Sequence, residues 1–243
     1  MSSLFYADDL ADRDGGALVT VDGREAHHAA VNRLRVGEQI LLGDGRGTLA
    51  DASVEAVSPT SVSFRIGDPR RQERPTPEIW LAQALAKGDR DELAIQAATE
   101  VGVSGVIPLQ AARSISRWSG PKVEKGVTRW TSIVREASKQ AIRAWVPEVT
   151  APLPPADLVA DGDAVLVLDP RADVRLADAV RTVPDSTRRI VLAVGPEGGF
   201  TPEELTRLED AGAVLVVLGD TVLRTSTAGP AAIAVTNVAL GRW

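Results

Sequence analysis

The residues best suited to chemistry lie between Ile190 and Ala228. The apolar run Ile190–Val194 empties into Gly195-Pro196-Glu197-Gly198-Gly199-Phe200, and the run Ala213–Leu218 empties into Gly219-Asp220-Thr221-Val222-Leu223-Arg224. Each unit reads as a strand, a small-residue loop and a helix start. Two such loops on neighbouring strand ends suggest one binding site at the edge of a parallel sheet. Glycines there let the main chain turn with positive φ or approach a ligand closely. Thr201 and Glu204 make a capping box with Pro202 at the first helical position, so this helix supplies its own cap. A phosphate loop needs Gly-x-x-x-x-Gly-Lys-Ser/Thr and a dinucleotide loop needs Gly-x-Gly-x-x-Gly; neither spacing occurs in these loops. Glu197 would repel a phosphate. An uncharged or cationic nucleotide-like ligand fits better, held by backbone amides and apolar walls such as Leu218 and Leu223. The alternative is a pair of tight strand-to-helix turns with no ligand.

Other chemistries are narrowed by what the chain lacks. It has no cysteine, which excludes disulfides, thiolate metal sites and cysteine nucleophiles. The two histidines, His27 and His28, are adjacent and far from the loops, so neither a histidine triad nor a multi-histidine metal centre is expected. No apolar run approaches the ~18–20 residues that span a bilayer, and the N-terminus has no leader pattern, so a cytoplasmic protein with no membrane association is expected. The net charge of −6 argues against nucleic acid, but residues 111–145 carry eight basic and two acidic side chains, a local +6. Trp118, Trp130 and Trp145 lie in the same window. That is the composition of a polyanion-binding surface, with a solvated helix face over core tryptophans as the plainer reading.

The elements that must position these residues fall into two parts. Residues 1–73 read as a small β-barrel: the runs Ala17–Val21, Gln39–Leu42, Ser53–Val57 and Ser61–Ile66 are separated by turn formers, with one helical piece over Glu25–Arg35. Asp68–Pro77 holds three prolines and no aliphatic residue and reads as a linker. Over 74–243 the pattern becomes α/β: strands at Glu78–Leu85, Val106–Leu109, Ala164–Leu168, Ile190–Val194 and Ala213–Leu218 alternate with helices, as in a mostly parallel sheet covered on both faces. A long helix is predicted over 121–145. Trp130, Val134, Ala137, Ala141 and Trp145 fall on one of its stripes, and Arg135, Lys139 and Arg143 on another. Three like charges at helical spacing repel one another unless an anion lies there.

Val194 to Thr201 with Glu204, followed by Leu218-Gly219-Asp220, Val222-Leu223-Arg224-Thr225 and Thr227-Ala228, resembles the signature of the bacterial 16S ribosomal RNA (uridine-N3) methyltransferases of the SPOUT superfamily. Further blocks match in order along nearly the whole chain: His28 with Leu34-Arg35-Val36-Gly37, Gly43-Asp44-Gly45, Lys87-Gly88-Asp89-Arg90, Gln96 with Thr99-Glu100-Val101-Gly102-Val103, Arg113-Ser114, Arg129-Trp130, and Glu136-Ala137 with Gln140, Arg143 and Pro147. One departure is Ser226, where the family usually has Glu, which bears on any role resting on that carboxylate. The resemblance implies a C-terminal domain over 74–243 with a deep trefoil knot, the loop after Leu218 threading beneath the preceding segment, and a PUA-like β-barrel over 1–73 that helps grip RNA. It implies S-adenosylmethionine held between the loops after Leu168, Val194 and Leu218. The contacts would come from Leu168, Val194, Gly195, Pro196, Glu197, Gly198, Gly199, Leu218, Gly219, Leu223, Thr225 and Ala228. It also implies a homodimer acting on 16S rRNA of the small ribosomal subunit; from the lack of cysteine and clustered histidine, no metal is expected.

Methylation at uridine N3 needs the donor methyl in line with N3 and the N3 proton removed. Carbon-5 methylation commonly uses a cysteine, so its absence fits attack by nitrogen. A nearby cation would stabilise the imide anion, and Arg143 and Arg224 are the candidates. Glu197 could complement the sulfonium or fix the loop by accepting backbone hydrogen bonds; solvent is one candidate for taking the proton. Lys87, Arg90, Arg113, Arg135, Lys139, Gln140 and Arg143 are expected to grip RNA, and His27 and His28 to be structural or RNA-contacting. The alternatives are a SPOUT methyltransferase acting on transfer RNA or a ribose 2′-oxygen, and a non-catalytic RNA-binding assembly factor.

Overall fold

The alternating runs near the start of the chain form one sheet, and two segments without clear alternation join it. Its strands are β1 (Leu4–Tyr6), β2 (Leu18–Asp22), β3 (Gln39–Gly43), β4 (Thr48–Val57), β5 (Ser61–Ile66) and β6 (Arg70–Arg71). In this computed structural model, which describes residues 3–31 and 33–243, the order is β1-β3-β4-β5-β2, with β6 on β4. β1 runs parallel to β3 and the other pairs are antiparallel. Phe5, Val19, Leu42, Val54, Phe64 and their inward neighbours meet in one buried cluster with Ala26 and Ala29 of α1 (Gly23–Val31). Strands that send one face into a single cluster curl around it, which is the barrel-like arrangement anticipated. The helix expected over Glu25–Arg35 begins two residues earlier and ends at Val31; Asn32 lies outside the described residues, and Arg33 is already left-handed at φ 54. The stretch read wholly as linker contributes β6, whose Arg70 pairs with Leu49.

The second sheet is built from β7 (Glu78–Ala84), β8 (Gly105–Leu109), β9 (Glu148–Val149), β10 (Asp163–Leu168), β11 (Arg189–Val194) and β12 (Val214–Val216). Its order is β12-β10-β11-β7-β8-β9 and every pair is parallel. Ile190 through Val194 are all buried, as a central strand covered on both faces requires. On one face Trp80, Ala82, Val167 and Val191 cluster with Leu205 and Leu208 of α5 (Pro202–Asp210). On the other, α2 (Arg90–Glu100) and α6 (Thr225–Ala239) pack together and against β7. The remaining helices are α3 (Pro121–Gln140) and α4 (Leu176–Arg181). No helix among the described residues is long and apolar enough to cross a membrane.

The helix predicted to reach Trp145 stops at Gln140. Ile142 takes φ 52 and the Arg143 amide donates to the Ser138 carbonyl at 2.9 Å. This is a Schellman-type stop, with an isoleucine where glycine is usual, at a cost of about 1–2 kcal/mol. Tertiary packing supplies the compensation: Ala144 is buried with Leu4, Tyr6 and Leu49, and Trp145 and Val146 pack against them. The chain therefore divides into Met1–Arg74 with Ser138–Val146, and Pro75–Ala137 with Pro147–Trp243. A linear division between residues 73 and 74 does not anticipate that returning segment.

Candidate active site

The parallel strands β10, β11 and β12 all end on one edge of the second sheet, where the loops following them enclose a cavity of about 540 Å³. The end of β10 and the loop after it contribute Leu168, Asp169, Pro170 and Arg171; the end of β11 and its loop contribute Val194 through Phe200; β12 and the loop beyond it contribute Val216 to Gly219 and Thr221 to Arg224. Thr225 and Ala228 come from the first turn of α6, and Arg90 and Arg113 reach in from elsewhere in the unit. All twelve residues expected to touch a cofactor line this one cavity, as does Arg224.

Local chemistry explains why the first loop holds its shape. Gly199 has φ 65 and donates its amide to the Pro196 carbonyl at 2.8 Å, a turn a side chain would strain. A Cβ on Gly195 would sit 3.1 Å from the ring of Phe200, which is buried. The capping box forms as expected: Thr201 Oγ1 accepts the Glu204 amide and Glu204 Oε2 accepts the Thr201 amide. Glu204 Oε1 also accepts the Ala112 amide at 2.7 Å, and Arg113 Nη1 donates to the Gly198 carbonyl at 2.7 Å, tying the 110s segment to the loop. From the other side, Thr225 Oγ1 donates to the Gly195 carbonyl at 3.1 Å.

Two carboxylates border the cavity. Asp169 receives the Arg171 amide and guanidinium at 2.7–2.9 Å, and the Arg171 guanidinium holds its carboxyl below the usual aspartate range. Glu197 pairs with Arg90, Nη1 to Oε1 3.1 Å, and both are partly exposed. The loop acid is thus engaged by a side-chain cation, a partner not foreseen from the sequence. Leu168, Val194, Phe200, Val216, Leu218 and Leu223 supply apolar wall. Glycine edges, apolar walls, two acids and this volume suit a nucleoside with a cationic centre; cavities of roughly 300–1,000 Å³ are usual for such ligands.

A second cavity of about 420 Å³ lies alongside, lined by Lys87, Gly88, Arg90, Ile115 and Glu197, so Arg90 and Glu197 border both. Its Lys87-Gly88-Asp89-Arg90 loop is a tight one, with Gly88 at φ 71 and Asp89 at φ 59. Asp91, buried just beyond, anchors it by accepting the Ala86 amide at 3.2 Å, and burial pushes that carboxyl up.

The structure disperses the expected basic stripe. Lys139 is buried: its Nζ lies 2.9 Å from Glu25 Oε1, with side-chain exposures of 1% and 8%. It has no surface to offer a phosphate, which corrects its assignment as an RNA contact; the helical spacing hid a partner far away in sequence. Arg143 lies beyond the helix end, not on its stripe. Burial pushes its guanidinium down to about 10, so it stays protonated at neutral pH. Arg143 belongs to the first unit, and Arg224 lines the cavity. Arg135 is half-buried on α3 and Gln140 exposed at its end, while Lys87, Arg90 and Arg113 border the cavities. Of the tryptophans, Trp130 is buried edge-on to Trp118, and Trp145 carries the guanidinium groups of Arg71 and Arg74 over its ring. His28 packs edge-on to Phe5 and His27 is exposed. Ser226 is half-buried in the first turn of α6 and is not among the lining residues. Sequence reasoning missed the Asp169–Arg171 wall and the buried Gln83; the first was visible as Asp-Pro-Arg after a strand, the second as one amide inside an apolar run. No group of three or more His, Asp or Glu side chains suited to a metal ion stands together among the described residues.

Residues 72–237 match the family described as RNA methyltransferase domain, and residues 21–67 match the RNA methyltransferase PUA domain. The chain is 44% identical to the ribosomal RNA small subunit methyltransferase E of Mycobacterium bovis, over all of this chain and 94% of that one. It is 32% identical to the protein of the same name from Bacillus subtilis, over 86% and 85% of the two chains. A crystal structure of a ribosomal RNA small subunit methyltransferase E from Neisseria gonorrhoeae bound to S-adenosylmethionine superposes with a TM-score of 0.87 at 28% identity, covering 98% of each chain.

Proposed function

The chain belongs to the RNA methyltransferase family that includes the ribosomal RNA small subunit methyltransferases E, and from that membership we propose that it methylates N3 of a specific uridine in 16S ribosomal RNA, using S-adenosylmethionine. The observation that carries the reading is the single cavity at the ends of β10, β11 and β12, into which all twelve expected cofactor contacts fall. Bound there, S-adenosylmethionine supplies a methyl group activated by its sulfonium. Leu168, Val194, Leu218 and Leu223 would cover the adenine, and the amides of the two glycine-bearing loops would hold its polar edge. Asp169 and Glu197 would place negative charge near the sulfonium.

The neighbouring cavity is where the acceptor base would enter, since it shares Arg90 and Glu197 with the first. Ile115, 71% exposed, offers that base an apolar face, and Lys87 a cation for a flanking phosphate. Arg224, at the N-cap of α6 and on the wall of the first cavity, would stabilise the uridine imide as its proton leaves to solvent. The PUA match supports RNA binding by the first unit. A homodimer belongs to the same reading. The sheet order, with β10 and β11 between β12 and β7, supports the trefoil knot. A cytoplasmic enzyme acting on small subunits follows from the same reading.

The test is transfer of tritiated methyl from S-adenosylmethionine to undermethylated small subunits, naked 16S RNA and transfer RNA, with the product nucleoside identified. The expected result is 3-methyluridine in 16S RNA, lost in Arg224→Ala. Label in transfer RNA or on a ribose oxygen would replace the substrate assignment, and no label despite cofactor binding would make the chain an RNA-binding scaffold.

A further inference from the structure

β7 carries one amide in an otherwise apolar stretch, and it is fully buried: Gln83, at 0% exposure. Gln83 is the register partner of Val194, the last residue of β11, so its side chain starts beside the root of the first cavity loop. Its Nε2 donates to Thr225 Oγ1 at 3.0 Å, and Thr225 Oγ1 donates to the Gly195 carbonyl at 3.1 Å. The proton count fixes the directions. A carbonyl can only accept, so the single hydroxyl proton of Thr225 must go to Gly195. The hydroxyl oxygen then faces Gln83 as an acceptor, and the amide must present its NH2. The amide oxygen consequently points away, with no hydrogen-bond partner among the described residues. A Cβ on Gly229 would lie 2.9 Å from Leu81 Cδ2 and 3.4 Å from that oxygen, so the glycine in α6 makes room for Leu81 and leaves the amide in ordinary contact.

We infer that Gln83 is a positioning residue for the cofactor, acting through Thr225: the Gln83–Thr225–Gly195 relay sets the spacing between the loop after β11 and the start of α6, which carries the loop after β12. The inference rests on reading the cavity as the S-adenosylmethionine site. Its chemistry differs from that of a lining contact. Both the proton and an acceptor site of the Thr225 hydroxyl are committed to protein, so Thr225 shapes the cavity without donating to the ligand. Burial keeps water from substituting for the amide, and the loops lose their common tie when either side chain loses its polar atoms.

The experiment is calorimetric titration of S-adenosylmethionine into the full chain, with circular dichroism as the check on folding. Gln83→Met and Thr225→Val should each weaken binding about tenfold, and the double variant only about ten- to twentyfold, because both cut one relay. Thr225→Ser, which keeps the hydroxyl, should stay within about threefold of the parent. Methyl transfer measured over a range of cofactor concentrations should show the loss in KM for the cofactor with kcat little changed. The inference is overturned if the single variants bind like the parent, if the double loss multiplies to about a hundredfold, or if Thr225→Ser binds as weakly as Thr225→Val. Should Gln83→Met fail to fold, the contrast of valine with serine at position 225 decides it. Failure of the parent chain to bind S-adenosylmethionine would instead overturn the proposed function.

Discussion

Lys139→Met separates a structural lysine from an RNA-gripping one. The substitution removes the ammonium and keeps the aliphatic length. In the first unit, the side chains of Lys139 and Glu25 are 1% and 8% exposed with Nζ and Oε1 2.9 Å apart, and Glu25 Oε2 accepts the Tyr6 amide at 3.3 Å. Without the ammonium the carboxylate stays in a place from which water is largely excluded. Breaking a buried pair from one side costs about 3–5 kcal/mol. Each kcal/mol moves the midpoint of a chain this size by roughly 2–4 °C, so unfolding should come about 6–20 °C earlier. Two units need not unfold together, so amide hydrogen exchange in β1 and β3 should be followed beside the thermal scan, and protection should fall there first. Adding Glu25→Gln to Lys139→Met should recover much of the loss, a coupling expected only of residues in contact. The reasoning is refuted if Lys139→Met unfolds with the parent while the slope of log RNA affinity against log salt falls by about 0.7–0.9, the signature of one lost phosphate contact.

Three further outcomes follow from the cavity. Gly195→Val places a branched side chain where even a Cβ would lie 3.1 Å from the Phe200 ring; overpacking of about 1–3 kcal/mol should weaken S-adenosylmethionine binding by roughly ten- to a hundredfold with the circular dichroism spectrum retained, and unchanged calorimetric affinity would take the loop out of the site. Asp169 has its folded pKa depressed by Arg171, so the stability it contributes is present above the ordinary aspartate value near ~3.9 and lost as pH falls through the folded one. The parent should therefore lose more thermal stability than Asp169→Asn between about pH 5 and 2, and equal losses would show the pair to be inert. Arg90→Ala breaks a partly exposed pair with Glu197 worth at most about 1 kcal/mol; melting should barely change while the salt slope of RNA binding flattens, and a large drop in melting temperature with an unchanged slope would make Arg90 a loop support only.

The parts of this protein legible in its sequence are those whose cause is local. A buried parallel strand announces itself as an apolar run, and a loop that must approach a ligand as glycines after it. Thr201 and Glu204 satisfy one another within a single helical turn, so the capping box could be read from spacing alone. What stayed hidden depends on partners remote in the chain. Gln83 and Thr225 are 142 residues apart. The end of α3 is set by packing of Ala144 and Trp145 beside Leu4, Tyr6 and Leu49, which overrides a helical periodicity that runs on past Gln140.

Charge shows the same limit, with a consequence for how RNA would be held. Counting residues 111–145 finds a strongly basic segment, but a count cannot distinguish a solvated cation from one already engaged. Arg129 pairs with Glu92, Lys139 with Glu25, and Arg113 donates to the Gly198 carbonyl. Of that segment only Arg113 borders a cavity; the other bordering cations, Lys87, Arg90, Arg171 and Arg224, come from loops and helix ends outside it. A continuous helical stripe would bind polyanions wherever it met them. Under the proposed function, separate cations placed around a cavity would act together only on a strand that presents a base and its flanking phosphates to that cavity, which would favour one extruded nucleotide over general affinity for RNA.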